Sequence, residues 1–226
     1  MLFRKFTGLI LEILFPKCCF GCHREGSYLC EDCRAILEIS EFHEQHSARY
    51  FKDLYFALPY QNPLIKNLIR KFKYQPLIKE LAKPLSLLII EHLQLLDNKP
   101  SFTDFTIIPI PLEKRKLKAR GFNQAEEIAK ELSYFLKIPL LSDCLIKTKE
   151  TVPQDDLSED ERKENIKGAF SARNNQKIKN KKILLVDDIY ATGSTIEEAA
   201  RTLKTAGAKE IIGMVIARAN PGEDRS

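Results

Sequence analysis

The stretch Ile183 to Thr195, ILLVDDIYATGST, sets the tightest limit on what this chain can fold into. Four consecutive apolar residues, Ile183-Leu184-Leu185-Val186, read as a strand buried on both faces, and such strands belong to parallel sheets covered by helices. The strand delivers two adjacent carboxylates, Asp187 and Asp188. Ala191-Thr192-Gly193-Ser194-Thr195 follows, ahead of a helical pattern, Ile196 to Thr205, that Gly207 ends. Open α/β folds place ligands at the carboxyl edge of the sheet. Gly193 lets backbone amides approach a ligand, three hydroxyls surround it, and the helix start adds positive partial charge. That combination is a phosphate cradle. Acids beside it suit the vicinal hydroxyls of a sugar, so the expected ligand is a sugar phosphate. A Walker loop is excluded, because the GxxxxGK[ST] spacing and its lysine are missing. An ordinary capped turn would need one hydroxyl and no acid pair.

The rest of the carboxyl-terminal half repeats the alternation. Phe105 to Ile110 reads as a buried strand, Asn123 to Leu136 as a helix and Ile211 to Ile216 as another strand. The lysine-rich segment Lys177 to Lys182 reads as a solvated loop. Residues 41–100 carry helical apolar spacing, in Leu64, Ile65, Leu68 and Ile69 and again in Leu81, Leu85, Leu88 and Ile89. At 226 residues, 44% hydrophobic and 30% charged, the chain can bury a core, which excludes a mainly disordered or fibrous protein. The expected organisation is a small domain over 1–40 and an α/β domain over 41–226, with a helical hood at 41–100 and the core at 101–220.

Five of the six cysteines lie between Cys18 and Cys33. Clustering of this kind indicates a metal site in a reducing compartment, since disulfide scaffolds spread their cysteines. Cys19-x2-Cys22 and Cys30-x2-Cys33 form two knuckles that supply four thiolates to one Zn²⁺. A closed shell of four makes the site structural rather than catalytic. Cys18, with poorer spacing to Cys22, and His23, which by default faces solvent, are the rival ligands. The amino terminus has early basic residues and an apolar run. Glu12 breaks that run, Pro16-Lys17 precedes the cysteines, and no small-residue cleavage site follows. Residues 1–16 therefore read as an amphipathic helix, with peripheral membrane contact as the second reading, and the protein as cytoplasmic.

Lys66, Arg70, Lys71 and Lys73 interleave with Phe72 and Tyr74, a pattern that can track a nucleic-acid backbone while rings stack on bases. Five cations crowd residues 114–120: Lys114, Arg115, Lys116, Lys118 and Arg120. Residues 148–165 are polar and aperiodic, the texture of a loop or a lid. The four histidines, at 23, 43, 46 and 92, fall outside the half that carries the phosphate motif, which argues against histidine acid–base chemistry.

The segment 183–195 resembles the phosphoribosyl pyrophosphate (PRPP) signature of type I phosphoribosyltransferases. Further stretches narrow the resemblance to the ComF (ComFC/GntX) family. They are Ile107 to Pro111 followed by Arg115-Lys116-Leu117 and Arg120 to Ala125, Phe72-Lys73-Tyr74, and the spacing Thr151-x2-Gln154-x2-Leu157-x4-Arg162-x2-Asn165. Gly168-Ala169-Phe170 belongs with them, as does Leu14-Phe15-Pro16 ahead of the cysteines. The resemblance implies a type I phosphoribosyltransferase-like parallel sheet flanked by helices, with a small amino-terminal zinc domain. It gives Asp187 and Asp188 to the ribose hydroxyls, and Ala191, Thr192, Gly193, Ser194 and Thr195 to the 5′-phosphate. Arg115, Lys116 and Arg120 fall to the pyrophosphate, with Arg120 as the catalytic candidate and Mg²⁺ accompanying PRPP. It also implies service in natural transformation, handling single-stranded DNA beside a helicase-like partner, and the spare charge of Lys71, Lys73, Lys114 and Lys118 is the expected DNA contact. A metabolic phosphoribosyltransferase acting on a small acceptor is the alternative. One departure is Lys147, where the pattern calls for an arginine and its bidentate fork.

Overall fold

The computed structural model describes residues 16–149 and 159–219. The expected first helix, the membrane contact, and Thr151, Gln154 and Leu157 lie outside the described residues. The chain divides into two compact units between Glu38 and Ile39.

In the smaller unit, Cys18 pairs with Glu25 in an antiparallel bridge, and a short helix α1 spans Glu31–Ala35. Its amino-terminal cap is Cys30, whose Sγ accepts from the Cys33 amide at 3.4 Å. The second knuckle is thus folded by the sulfur it presents.

The larger unit is a parallel sheet between helices. Its strands are β1 (Asp53–Pro59), β2 (Phe105–Pro109), β5 (Lys182–Val186) and β7 (Glu210–Arg218), in the spatial order β1-β7-β5-β2. All pairings on this path are parallel, with Ile107 opposite Leu184, Leu184 opposite Ile212 and Leu54 opposite Gly213. A two-residue strand β6 (Ile189–Tyr190) continues beside β7, and Leu140 makes a parallel bridge to Ile107 at the other edge. A separate two-stranded antiparallel sheet pairs β3 (Leu145–Lys147) with β4 (Phe170–Ala172).

Both sheet faces are buried, which explains the continuous apolar runs. Ile183, Leu185, Ile211 and Val215 form one core with Ile196, Ala199, Ala200 and Leu203 of the helix Ser194–Thr205. Between the strands, the other helices run Pro63–Lys73 (α2), Ala82–Leu95 (α3), Lys114–Arg120 (α4), Gln124–Leu136 (α5), Glu159–Ile166 (α6) and Asn175–Ile178 (α7), so Ser194–Thr205 is α8. α3 packs on β1 and β7, and α5 on β2 and β5.

Three stretches extend or differ from the sequence reading. The region 41–100 carries its two helices but also the strand β1, which pairs in the main sheet. The cations of 114–120 lie on a helix that buries none of its residues. The lysine-rich segment from 177 spans the end of α7 and the start of β5.

Candidate functional site

Parallel strands all point their carboxyl ends the same way, and here those ends open into one cleft of about 930 Å³. Tyr60 follows β1, Ile110 and Pro111 follow β2, Asp187 and Asp188 follow β5, and Ala219 follows β7; all six line it.

β7 fixes the acid pair from behind. The Asp187 amide donates to the Met214 carbonyl at 3.1 Å, and the Ile216 amide to the Asp188 carbonyl at 3.0 Å. The Asp187 carboxylate in turn accepts from the Asp188 amide at 2.9 Å. Burial, together with the neighbouring Asp188 charge, pushes the Asp187 carboxyl up to about 7, against the pull of Lys73 and Lys147. Asp188 takes the ammonium of Lys73 at 2.9 Å.

Beyond the acids, Ala191, Thr192, Gly193 and Thr195 line the cleft, and Ser194, buried, meets the Thr192 hydroxyl at 3.0 Å. No side chain caps α8, whose first turn begins at Gly193. The amides of that turn therefore keep their capacity for an anion. Gly193 is held at φ +78°, and a Cβ there would collide with the ring and hydroxyl of Tyr190. The loop needs glycine for both reasons.

Seven cations face the same space: Lys66, Arg70, Lys73, Lys116, Arg120, Lys147 and Arg162. Helical geometry sorts the basic segment 114–120. Lys116 and Arg120, one turn apart, line the cleft, whereas Lys114, Arg115 and Lys118 are exposed and lie outside its lining. Lys147 sits on β3 with its ammonium 5.8 Å from the centre of the Phe170 ring. Burial and the Lys116 charge pull it down to about 8.

Of the DNA candidates on α2, Lys71 is half-buried outside the lining and Lys73 is inside the cleft on Asp188. The lid segment is described only in α6, from which Arg162 reaches the lining. Gly168, expected as part of a motif, serves the packing of the fold. Its amide donates to Glu198 at 2.8 Å, and Arg201 grips both oxygens of that carboxylate at 2.7 and 2.8 Å.

Sequence reasoning missed two contributors. One is the cleft role of Lys66, Arg70 and Lys73 on α2, which the sequence reading gave to a nucleic-acid backbone. The other is His46, whose Nε2 lies 2.8 Å from the Tyr190 hydroxyl, so one histidine does meet a cleft residue. No local signal announces that pairing, which joins positions 144 residues apart.

In the small unit the sulfurs of Cys19, Cys22, Cys30 and Cys33 all lie within 4.8 Å of one another. Zn–S bonds of about 2.3 Å imply sulfur–sulfur edges of about 3.8 Å, so the set fits a tetrahedral ion after slight contraction. Amides of Gly21 and Cys30 both donate to Cys19 Sγ at 3.4 Å, as expected of thiolate ligands. Cys18 points to the Pro16 carbonyl instead, His23 stays exposed, and Cys144 is buried elsewhere.

A parallel sheet between helices, with an acid pair and an uncapped helix start at its carboxyl edge, is a type I phosphoribosyltransferase-like fold. Accordingly, the phosphoribosyl transferase domain family matches residues 117–226. Competence protein F of Haemophilus influenzae is 30% identical over 92% of this chain and 93% of its own length, and the chain belongs to that ComF family. DNA utilization protein YhgH of Escherichia coli is 33% identical over 66% of this chain and 65% of its own. Competence protein ComFC of Bacillus subtilis is 37% identical over 46% and 40%. Among the described residues no helix is long and apolar enough to cross a membrane.

Proposed function

We propose that the cleft binds PRPP with Mg²⁺ and that the protein handles single-stranded DNA during DNA uptake. The observation that carries the first half is convergence: the acid pair, the uncapped start of α8 and seven cations open onto one cavity. Asp187 and Asp188 accept from the ribose hydroxyls, and the amides and hydroxyls of 191–195 hold the 5′-phosphate. Lys116 and Arg120, from the adjoining helix, face the pyrophosphate, and Arg120 stabilises its negative charge as it leaves. Magnesium bound with the ligand would neutralise further pyrophosphate charge. Arg115 lies outside the lining and fits the DNA role better than the pyrophosphate role. The names of the relatives, competence and DNA utilization proteins, support the second half, as does the exposed basic face of α4 beside the cleft mouth. Zn²⁺ on the four cysteines is structural, because the four thiolates fill its coordination shell.

Calorimetric titration with PRPP and Mg²⁺ tests the site. Asp187→Ala with Asp188→Ala abolishes binding, and Asp187→Asn with Asp188→Asn, which keeps the packing, weakens it by about a hundredfold or more. Unchanged affinity in a folded double variant overturns the assignment.

A further inference from the structure

Two motifs far apart in sequence interlock around a single lysine. Phe72 is fully buried, its ring centre 5.5 Å from that of Phe122, and its carbonyl accepts from Gln124 Nε2 at 2.9 Å. On the other side of Lys73, the Tyr74 ring lies 5.3 Å from the Arg120 guanidinium, which donates to Gln124 Oε1 at 3.0 Å. Residues 72 and 74 are therefore clamped by 120–124. The residue between them closes α2 and carries its ammonium to Asp188 Oδ1 at 2.9 Å. Both side chains are mostly removed from water, at 24% exposure for Lys73 and 7% for Asp188.

Adjacent carboxylates at a strand edge are what a divalent cation seeks, and Mg²⁺ in such sites is typically held by one or two of them plus phosphate oxygens. Here a fixed monocation already stands on one of the pair. We propose that Lys73 is the resident cation of the acid pair: it excludes divalent metal from the ligand-free cleft, so that the metal enters with the phosphorylated ligand. An ammonium has three donors, of which Asp188 engages one, and the others are offered to phosphate oxygens of the ligand. Asp188 keeps acceptor capacity for a ribose hydroxyl, since a carboxylate offers about four lone-pair sites. The exclusion of metal stands on the ion pair alone, whereas the role toward phosphate rests on the PRPP reading.

The test is manganese binding by the full-length, zinc-loaded protein without PRPP, read from loss of the free Mn²⁺ electron paramagnetic resonance signal. Wild type and Lys73→Arg bind no Mn²⁺ through the acid pair. Lys73→Met, with Lys73→Gln as the milder variant, gains one Mn²⁺ with affinity raised by about tenfold or more, and adding Asp188→Asn removes the gain. Wild type that already binds Mn²⁺ in an Asp188-dependent manner, or folded Lys73 variants that gain none, overturn the proposal. In a parallel PRPP titration with Mg²⁺, Lys73→Met weakens binding by about tenfold or more, and an unchanged affinity overturns the phosphate-donor role. Wild type that fails to bind PRPP defeats the ligand reading and the phosphate-donor role that rests on it, while the manganese result still decides the exclusion.

Discussion

Lys147 is a residue whose chemistry departs from what its position in the sequence suggests. It replaces an expected arginine, and burial with the nearby Lys116 charge brings its ammonium down to about 8. An arginine there would stay charged throughout the accessible range. The sign of the consequence follows from linkage. Below about pH 8 the side chain is already a cation and binds an anion directly. Above that value the ligand-free protein has lost the proton, so anion binding must recover it, and affinity falls by up to about tenfold per pH unit until the bound-state pKa is reached. PRPP titrations between pH 7.5 and about 9.5 will therefore show weakening in wild type and a flat profile in Lys147→Arg. A wild-type profile as flat as that of the variant rules out Lys147 as a ligand-facing cation. The motif spacing makes this residue visible in the sequence. Its lowered pKa is not visible there, because Lys116 approaches it only once α4 and β3 have been brought to one cleft.

At the scale of elements, α2 and α5 are held together by a hydrogen bond that spans 52 positions, from Gln124 Nε2 to the Phe72 carbonyl. Asn123 does the same for β2, donating to the Ile110 carbonyl at 2.9 Å. Gln124→Leu leaves the Phe72 carbonyl buried without its donor and should cost about 1–3 kcal/mol in a urea titration. Lost amide protection should concentrate in Pro63–Lys73. A loss under about 0.5 kcal/mol, within the range of neutral surface changes, means the bond does not hold α2 in place. Elements whose information is local are legible in the sequence: β5, the acid pair and α8 follow one another directly in the chain. β1 is not, because its buried Leu54, Tyr55 and Leu58 fall at a spacing a helix also satisfies. Only pairing with β7, more than 150 residues on, makes it a strand. α4 shows no apolar stripe from which a helix could be read, and it has none because it buries no residue. The same non-locality hides the Lys73–Asp188 pair. Each partner stands in a motif of its own, and their charges suggest opposite assignments, DNA for the lysine and ribose for the acid.

Across the whole molecule, the net charge of +5 averages populations with different roles. One set of cations faces inward on the cleft, where it meets Asp187, Asp188 and Glu113. Another stands outside that lining on α4: Lys114, Arg115 and Lys118, all exposed. Two anionic ligands of different size can then be served by one basic region without competing for the same side chains. On the proposed function, a small pyrophosphate ester would reach only the inner set, whereas a polynucleotide, too long to enter the cleft, would run over the outer one. The two sets separate by mutation. Lys114→Ala, Arg115→Ala and Lys118→Ala together should weaken single-stranded DNA binding and flatten its dependence on salt. Each lost phosphate contact reduces the slope of log K against log salt by about 0.7, so the triple change removes about 2. PRPP affinity should stay within about twofold of wild type, because none of the three lines the cleft. Fluorescence anisotropy with a labelled oligonucleotide at several salt concentrations, beside calorimetry with PRPP, reads both quantities on the same variant. Unchanged DNA affinity and slope would remove nucleic acid from α4, and a large fall in PRPP affinity would show that the outer set belongs to the cleft after all.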